Sequence, residues 1–446
     1  MDRSLWEYRV PLGKKEVVVR FDGGRLSSDG GLLWLQALDE EMGVCALLAG
    51  CIREWRDRRR VRQSIEAMVR QRVLAICCGY EDCNDAETLR EDPLLKLALG
   101  RAPESGRALA SQPTLSRLEN AVTRPDLVRM AEAMVKLFTE RHRARPPQRI
   151  VLDGDATDDP THGQQELEYY HGYYGCHCYL PLLLYATADE GEEELVAAVL
   201  RPGNRHAGHW VAALLRRVVA RLRAAFPETA IVFRGDAGMA LPEVYDYCER
   251  AGVGYVISLP RNSRLLAKAG DDLGTAKAVY AQTGEKVRQF GELRYAAETW
   301  PEERRVIVKA EVMAQGENPR FVVTNLSDPD PERLYAFYIA RGEVENRIKE
   351  LKNDLLSGRT SCHRFLANQF RLFLHAAAFL LMQGLRRLVA GTQFARGQVG
   401  TLRVKLLKVA AQVRETTRKI WVHLPTSYPY QGAWMHLLGR PRPAPP

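Results

Sequence analysis

The chain has 446 residues, 46% of them hydrophobic, which is long enough for roughly two to four domains with buried cores. Its 64 Lys and Arg residues outnumber its 55 Asp and Glu residues, so the formal net charge is +9. This balance excludes a strongly acidic protein and favours a polyanionic partner. The nine cysteines have an odd count and no repeating spacing, which argues against a disulfide scaffold.

Neither targeting nor membrane insertion is predicted. The segment MDRSLWEYRVPLGKKEVVVRF lacks the charged start, apolar middle and cleavage site of a signal peptide. The longest apolar stretch, residues 372–382, is about half as long as a membrane span needs. We therefore expect a cytoplasmic protein that has no membrane partner.

Residues 1–145 are predicted to form a mostly helical N-terminal region after a short opening strand. Six arginines lie between Arg53 and Arg62, with Arg58, Arg59 and Arg60 at the centre of the run. One interpretation is a solvated helix face. The other is a DNA-binding surface, because each arginine can form forked hydrogen bonds to phosphate oxygens.

A second candidate for DNA binding is the segment SQPTLSRLENAV, residues 111–122. Pro113 and Thr114 suit the N-terminus of a helix, and Arg117 lies on the helix itself. This helix could read a DNA groove through Arg117. A capped polar helix with no such role is the alternative interpretation.

Residues 146–265 alternate between strand and helix patterns. The predicted order is three strands, a helix, a strand, a helix and a strand, which indicates an α/β fold with a mixed sheet. Residues 266–330 are predicted to be an inserted β subdomain. Helix is expected again over residues 331–390, and a basic helical C-terminal region with a tail over residues 391–446.

Carboxylates follow two of these strands. Asp155 ends the first strand and Asp236 the fourth, and strand ends of an open α/β sheet are where sites form. Asp153 projects to the same side of its strand as Asp155, so it too could approach a metal ion.

The third carboxylate, Glu345, belongs to a predicted helix. Tyr338 and Arg341 precede it by seven and four residues, and Lys349 and Lys352 follow it by four and seven. These offsets share one side of a helix. One carboxylate among cations and a phenol suits a metal-bound phosphate better than a core.

Phosphodiester cleavage explains why three carboxylates would be needed. The reaction requires an activated oxygen nucleophile and charge neutralisation at the entering and leaving oxygens. Two Mg²⁺ ions about 3.5–4 Å apart supply both, and carboxylate oxygens are suitable ligands for them.

These residues resemble a known family. Tyr338, Arg341, Glu345 and Lys352 match, without a gap, the Y-R-E-K signature of DDE transposases from bacterial insertion sequences. The strings DAT at Asp155 and DAG at Asp236 resemble the first and second aspartate motifs. Further strings resemble, more narrowly, the insertion-sequence 1380 family, and this resemblance covers about residues 20 to 430. The strings are FDGGRLSSDGGLL, LDGDATDDPTHGQQE, GYYGCHCYLPLL, LRPGN and RTSCHRFLANQFRL.

The resemblance implies a ribonuclease-H-like catalytic core in two parts, residues 146–265 and 331–390, with the β-rich insertion between them. It implies Mg²⁺-dependent cleavage of DNA at the inverted-repeat ends of a mobile element and joining to target DNA, with Mn²⁺ as a substitute. Asp155, Asp236 and Glu345 would bind two ions, and a homodimer would act on double-stranded DNA.

The remaining signature residues, Tyr338, Arg341 and Lys352, would orient the scissile strand, with Lys349 as a further contact to DNA. The second motif departs from the family in one respect. An aromatic residue usually follows the Asp-x-Gly string, whereas Met239 and Leu241 occupy that neighbourhood here.

Two other functions stay open. The first is a DNA-binding protein derived from a transposase that no longer cuts, and the second is a structure-selective nuclease with the same core. The presence of all three carboxylates together with the cations around Glu345 favours an active transposase over a silent one.

Overall fold

The computed structural model describes residues 7–438, and the chain divides into two compact units. The first unit takes the chain up to Asp126, then Glu350–Arg359, and then the chain from Leu374 onwards. The second unit takes Leu127–Lys349 and Thr360–Phe373. The chain therefore passes between the units more than once.

Within the described residues the helices are, in chain order, α1 (Leu32–Met42), α2 (Val44–Gly50), α3 (Ile65–Cys77), α4 (Ala86–Leu89), α5 (Pro93–Ala98), α6 (Gln112–Ala121), α7 (Arg124–His142), α8 (Val211–Ala225), α9 (Pro242–Arg250), α10 (Ser263–Lys268), α11 (Gly270–Thr283), α12 (Pro331–Ile339), α13 (Gly342–Lys349), α14 (Phe365–Leu388), α15 (Val399–Leu402) and α16 (Gln431–Leu438). Short 3₁₀ turns cover Arg58–Arg60 and Ala237–Met239, and π-helical turns cover Glu350–Asp354 and Arg403–Leu407.

The strands of the same residues are β1 (Tyr8–Leu12), β2 (Lys15–Val19), β3 (Leu26–Ser27), β4 (Arg149–Ala156), β5 (Asp159–Pro160), β6 (Tyr169–His171), β7 (Cys176–Tyr179), β8 (Leu182–Ala188), β9 (Glu194–Val199), β10 (Ala230–Gly235), β11 (Gly254–Leu259), β12 (Val287–Tyr295), β13 (Arg304–Met313), β14 (Gly316–Glu317), β15 (Arg320–Thr324), β16 (Ala411–Glu415) and β17 (Ile420–His423).

The first unit is mostly helical. Its helix α3 begins at a cap, because the Ser64 hydroxyl accepts a hydrogen bond from the Ala67 amide at 3.1 Å. A small antiparallel sheet in the order β17-β16-β3 joins the two ends of the chain. Residues 391–446 were predicted to be helical, but residues 411–415 form strand β16. Their side chains alternate between buried and exposed positions. That period of two is typical of a strand.

The second unit is built on a nine-stranded mixed sheet in the order β12-β13-β15-β11-β10-β4-β8-β9, with β14 paired to β13. Strand β10 runs parallel to both β4 and β11, whereas β8 is antiparallel to β4 and to β9. The predicted mixed α/β sheet is confirmed. Helix α8 covers it with an apolar face that includes Leu215, Val218 and Leu222, which are all buried.

The segment predicted as an inserted β subdomain, residues 266–330, has a different organisation. It contains the whole of α11 before β12, and its long strands extend the large sheet beyond β11 instead of forming a separate sheet. Strand β15 pairs with β11 through Val322 and Val323, both buried. The insertion therefore shares a hydrophobic core with the strands that carry Asp155 and Asp236.

Among the described helices, only α14 has the length and composition of a membrane span, with a mean hydropathy of 1.4. Its most apolar window is 89% buried inside the protein. Burial of this extent is typical of a core helix.

Close packing at the middle of the large sheet gives a test of the fold. A Cβ atom at Gly154 would lie 2.9 Å from Met239 Sδ and 2.9 Å from a ring carbon of Phe233, and both side chains are fully buried. We predict that Gly154→Ala lowers the free energy of unfolding by about 1–3 kcal/mol, because the core must shift to admit the methyl group.

The matched control is Gly274→Ala in α11, where an added Cβ meets nothing within 4 Å. This change is expected to raise stability by about 0.5–1 kcal/mol, because alanine favours the helix. Denaturant unfolding measures both changes. Equal stability of the two variants would contradict the packing described at Gly154.

Candidate active site

Asp155 lies at the end of β4, the strand between β8 and β10. The apolar residues Ile150 and Leu152 bury the middle of this strand, and the chain becomes partly exposed at Asp155 and Ala156. The Asp155 side chain is 14% exposed. Its Oδ1 accepts a hydrogen bond from the Ala156 amide at 2.8 Å, which leaves Oδ2 directed to other partners.

Asp236 follows β10, the parallel neighbour of β4. In their register Arg234 lies opposite Asp153, so Asp236 and Asp155 each follow two residues later on adjacent strands. Asp236 is at the N-cap position of the short 3₁₀ turn Ala237–Met239, but its side chain makes no capping hydrogen bond. Its Oδ1 is buried with no hydrogen-bond partner among the described residues. A buried carboxylate oxygen without a donor is costly and indicates an absent cation or donor.

The helical part of the site is interrupted between Tyr338 and Glu345. Helix α12 begins with Pro331 after the Asp330 cap, whose carboxylate accepts from the Glu332 amide at 2.9 Å. It ends at Ile339, and α13 starts again at Gly342. The turn between them contains Arg341, which is 8% exposed.

Arg341 connects the acidic residues. Its Nη2 donates to Asp155 Oδ2 at 2.9 Å, and its Nη1 lies 3.4 Å from Glu345 Oε1. Burial lowers the pKa of Arg341, but the negative charges of Asp155 and its neighbours outweigh this effect and the net shift is upward. The guanidinium is therefore held as a cation among three carboxylates, those of Asp155, Asp236 and Glu345.

The environment of Asp155 disfavours the ionised form of its carboxyl group. Burial raises the pKa of Asp155 to about 6; Arg341 opposes the rise, while Asp236 and Glu345 add to it. A carboxyl group with so large a pKa shift among like charges is typical of a functional site.

Asp153 has a separate environment from Asp155. Its two oxygens accept from Arg234 Nε and Nη2, each at 2.7 Å, and both side chains are buried. Arg234 also donates to the Phe337 carbonyl oxygen at 2.7 Å. Because both oxygens of Asp153 are occupied by a buried arginine, the geometry favours a structural role for this residue over metal binding.

The other predicted residues of the Glu345 face are dispersed over several elements. Tyr338 is partly buried on α12, where its ring lies 6.1 Å from that of Tyr335. Lys349 is exposed at the end of α13. Lys352 lies in the π-helical turn Glu350–Asp354, which belongs to the first unit.

No group of three or more His, Cys, Asp or Glu side chains between residues 7 and 438 is already arranged to hold a metal ion. The guanidinium of Arg341 instead neutralises the acidic residues. The donor set still fits a divalent ion, because Asp236 Oδ1 is buried without a partner and carboxylate oxygens suit Mg²⁺.

Arg201, near the site, was not predicted from the sequence as a functional residue and appears there only as part of the string LRPGN. Arg201 is fully buried, and it donates to the carbonyl oxygens of Leu180 and Ala207 at 2.8 Å and of His209 at 2.6 Å. Burial lowers its pKa to about 10, against the opposing charges of Tyr174 and Asp236.

The loop that Arg201 holds packs directly on the Asp236 motif. A Cβ at Gly238 would lie 2.7 Å from Ala207 Cβ and 3.3 Å from Asp236 Oδ1. The glycine of the DAG string is therefore required for this close approach. Met239, one of the two apolar residues found where the resemblance implies an aromatic residue, is fully buried beside it.

The N-terminal arginines predicted to contact DNA, which are Arg58, Arg59, Arg60 and Arg117, lie in the first unit. Arg58, Arg59 and Arg60 form an exposed 3₁₀ turn, capped by the Asp57 carboxylate, which accepts from the Arg59 amide at 3.1 Å. Arg60 and Arg117 line the same cavity of about 480 Å³. The structure thus brings together the two segments that were separate candidates in the sequence.

A partly buried acidic site at the strand ends of a mixed α/β sheet is characteristic of an enzyme. Residues 10–445 match the family model described as "Transposase DDE domain group 1", and the chain belongs to this family. It is thus a DDE transposase, a class of DNA-transposition enzymes that generally use divalent metal ions.

No curated protein matches this chain. Among solved structures it is similar to a piggyBac transposase in a synaptic complex with hairpin DNA, determined by cryo-EM. The identity is 10%, the match covers 93% of this chain and 86% of that chain, and the TM-score is 0.42. A TM-score of this size supports no inference about this chain.

The two aspartates of β4 allow a matched test of their roles. We predict that Asp153→Asn lowers the free energy of unfolding by about 3–5 kcal/mol, because it leaves the buried Arg234 without its counter-charge. Asp155→Asn should cost less, because Arg341 keeps Glu345 as an ion-pair partner. Thermal and denaturant unfolding distinguish the variants, and a greater loss for Asp155→Asn would contradict these assignments.

Proposed function

We propose that this transposase cleaves phosphodiester bonds at the ends of its own mobile element and joins the freed 3′-hydroxyl ends to target DNA. The observation that carries the proposal is the electrostatic group formed by Asp155, Asp236 and Glu345 around Arg341. Three acidic side chains from two strands and a helix are what metal-assisted phosphoryl transfer requires.

Asp155, Asp236 and Glu345 would hold two Mg²⁺ ions, with Mn²⁺ as a substitute, and Asp153 would support them from the core. Bound ions would supply an activated oxygen nucleophile and neutralise charge at the leaving oxygen. In the structure Arg341 forms an ion pair with Asp155. With ions and DNA bound, Arg341 would release this carboxylate and donate hydrogen bonds to a substrate phosphate. Its planar guanidinium can bind a phosphate in a forked geometry.

Several finer assignments belong to the same proposal. The order β9-β8-β4-β10-β11 supports a ribonuclease-H-like core interrupted by residues 266–330. The motif strings support membership of the insertion-sequence 1380 family. Tyr338 and Lys349 would contact DNA near the site, and Lys352 would be a further contact to DNA. We also propose inverted-repeat ends as the substrate, a homodimer on DNA and a cytoplasmic location.

A silent DNA-binding protein would lack a complete acidic set, and this chain has all three carboxylates. A structure-selective nuclease would cut DNA without joining it. The products of a reaction with DNA distinguish the proposed transposase from both alternatives.

The first test uses a supercoiled plasmid that carries both element ends, taken from the DNA flanking the gene. We predict that the protein nicks these ends with Mg²⁺ and that Asp236→Asn or Glu345→Gln lowers nicking by at least about 10³-fold, because ion binding is lost. DNA binding without metal should remain within about twofold, since neither residue is proposed to hold the DNA backbone.

The control for this test is Glu343→Gln, which removes an exposed carboxylate two residues from Glu345. It should nick like the wild type. Loss of DNA binding in Asp236→Asn and Glu345→Gln would make these residues structural, and nicking without joined products would favour the nuclease.

A second test measures ion binding without DNA or activity. Excess Ca²⁺ or Mn²⁺ should raise the melting temperature of the wild type by mass action, because the ions bind the folded state. Asp236→Asn should abolish the rise, and Glu343→Gln should retain it. An unchanged rise in Asp236→Asn would place ion binding elsewhere in the protein.

A further inference from the structure

A buried arginine holds the loop that lies beside Asp236. Arg201 is fully buried. Its Nη1 donates to the carbonyl oxygens of Ala207 at 2.8 Å and His209 at 2.6 Å, and its Nε donates to that of Leu180 at 2.8 Å. None of the hydrogen bonds of Arg201 within the described chain goes to a carboxylate. Because a buried cation without a counter-charge is costly, stability alone does not explain this residue.

The loop, residues 206–209, leads into a strained residue. Trp210 has a φ of 69°, in the left-handed region that bulky side chains rarely adopt. The carbonyl oxygen of His209, immediately before it, is one of the acceptors of Arg201. Backbone strain of this kind persists where surrounding contacts fix it, and it is concentrated at functional sites. The hydrogen bonds of Arg201 therefore hold the loop against its local preference.

Two glycines bring this loop into backbone contact with the turn that follows Asp236. A Cβ at Gly208 would lie 2.6 Å from the Gly238 carbonyl oxygen, and a Cβ at Gly238 would lie 2.7 Å from Ala207 Cβ. Neither glycine has room for a side chain. Because the two backbones are packed this closely, a shift of the loop must move the turn as well.

No hydrogen bond of its own holds the Asp236 carboxylate within the described part of the chain. Its side chain makes no capping bond to the turn, and its Oδ1 is buried without a partner. The Nη2 of Arg201 is also buried without a hydrogen-bond partner among residues 7–438. Burial lowers the pKa of Arg201, and the charges of Tyr174 and Asp236 oppose this shift. The loop and the cation that fixes it are therefore the features that constrain Asp236.

We propose that Arg201 is a positioning residue, which holds the Asp236 carboxylate in the place where it binds a divalent ion. Arg201 acts through residues 206–209 and contacts neither the ion nor DNA. Residues that support a metal ligand without touching the metal change the metal affinity by about 10–100-fold. The inference rests on the proposed function and adds a residue that sets the ion affinity of the acidic site.

The test measures Mn²⁺ binding by the full chain without DNA, from the electron paramagnetic resonance signal of free Mn²⁺. Arg201→Lys keeps a cationic side chain but loses the planar fork that reaches three carbonyl oxygens. We expect Arg201→Lys and Arg201→Gln each to raise the dissociation constant for Mn²⁺ by about tenfold or more. Wild-type affinity in Arg201→Lys would overturn the inference.

The matched control is Arg304→Lys, which changes a second buried arginine of the same unit. Arg304 donates to Glu249 and Asp246, each at 2.8 Å, so its loss lowers stability. The affinity for Mn²⁺ should remain close to that of the wild type, with every titration made below the melting transition recorded by circular dichroism. An equal loss of affinity in Arg304→Lys would show an effect of stability and would refute the positioning role.

A further pair of variants tests the contact between the loop and the turn. Gly238→Ala places a methyl group against Ala207 Cβ and Asp236 Oδ1, and it should weaken Mn²⁺ binding by about tenfold. The double variant Ala207→Gly, Gly238→Ala removes the Cβ that the new methyl group meets, so it should recover most of the lost affinity. If the double variant binds no better than Gly238→Ala, the loop does not transmit the effect and the inference is wrong.

Nicking of the plasmid with element ends separates this inference from the proposed function. Arg201→Lys should nick slowly at low Mn²⁺ and recover most of the wild-type rate above its raised dissociation constant, whereas Asp236→Asn should not recover. If Arg201→Lys binds Mn²⁺ normally while Asp236→Asn loses binding and nicking, the positioning role is wrong and the proposed function stands. If Asp236→Asn binds Mn²⁺ and nicks like the wild type, the proposed function fails and the positioning role fails with it.

Discussion

The acidic site depends on one interaction, the ion pair between Arg341 and Asp155. Carboxylates that approach one another repel, and those of Asp155 and Asp236 do so in a partly buried place where water screens charge poorly, with the more exposed Glu345 adding to the repulsion. Arg341 supplies the positive charge that lets them coexist. Its position in the turn between α12 and α13 explains why these helices are separated at this point, since the side chain must reach the end of β4.

The two aspartates of β4 each pair with an arginine, and the two pairs have different roles. The pair of Asp153 with Arg234 is bidentate and buried, so it fixes β4 to β10 and to the Phe337 carbonyl oxygen. The pair of Asp155 with Arg341 has one short hydrogen bond, and Arg341 keeps an unbonded Nε. The second pair can therefore be exchanged for ions and substrate at lower cost than the first.

The sequence predicted the parts of this protein that depend on local pattern. The alternation of strands and helices from Arg149 to Leu259 gave the mixed sheet, and the motif spacing gave the acidic residues that Arg341 connects. Features that depend on distant contacts were not predictable. Nothing local shows that Asp153 is taken by Arg234, that Arg201 holds the loop beside Asp236, or that Arg60 and Arg117 share a cavity. Residues 411–415 were predicted as helix because their short alternation is ambiguous until they pair with β17.

We propose that Arg341 occupies the place that divalent ions take when the site is loaded. Crystals of the protein with an element end and Mn²⁺, measured for anomalous scattering, test it most directly. We expect Mn²⁺ peaks bound by Asp155, Asp236 and Glu345, with the Arg341 guanidinium moved from Asp155 to a DNA phosphate. Mn²⁺ bound away from these residues, with Arg341 still on Asp155, would contradict it.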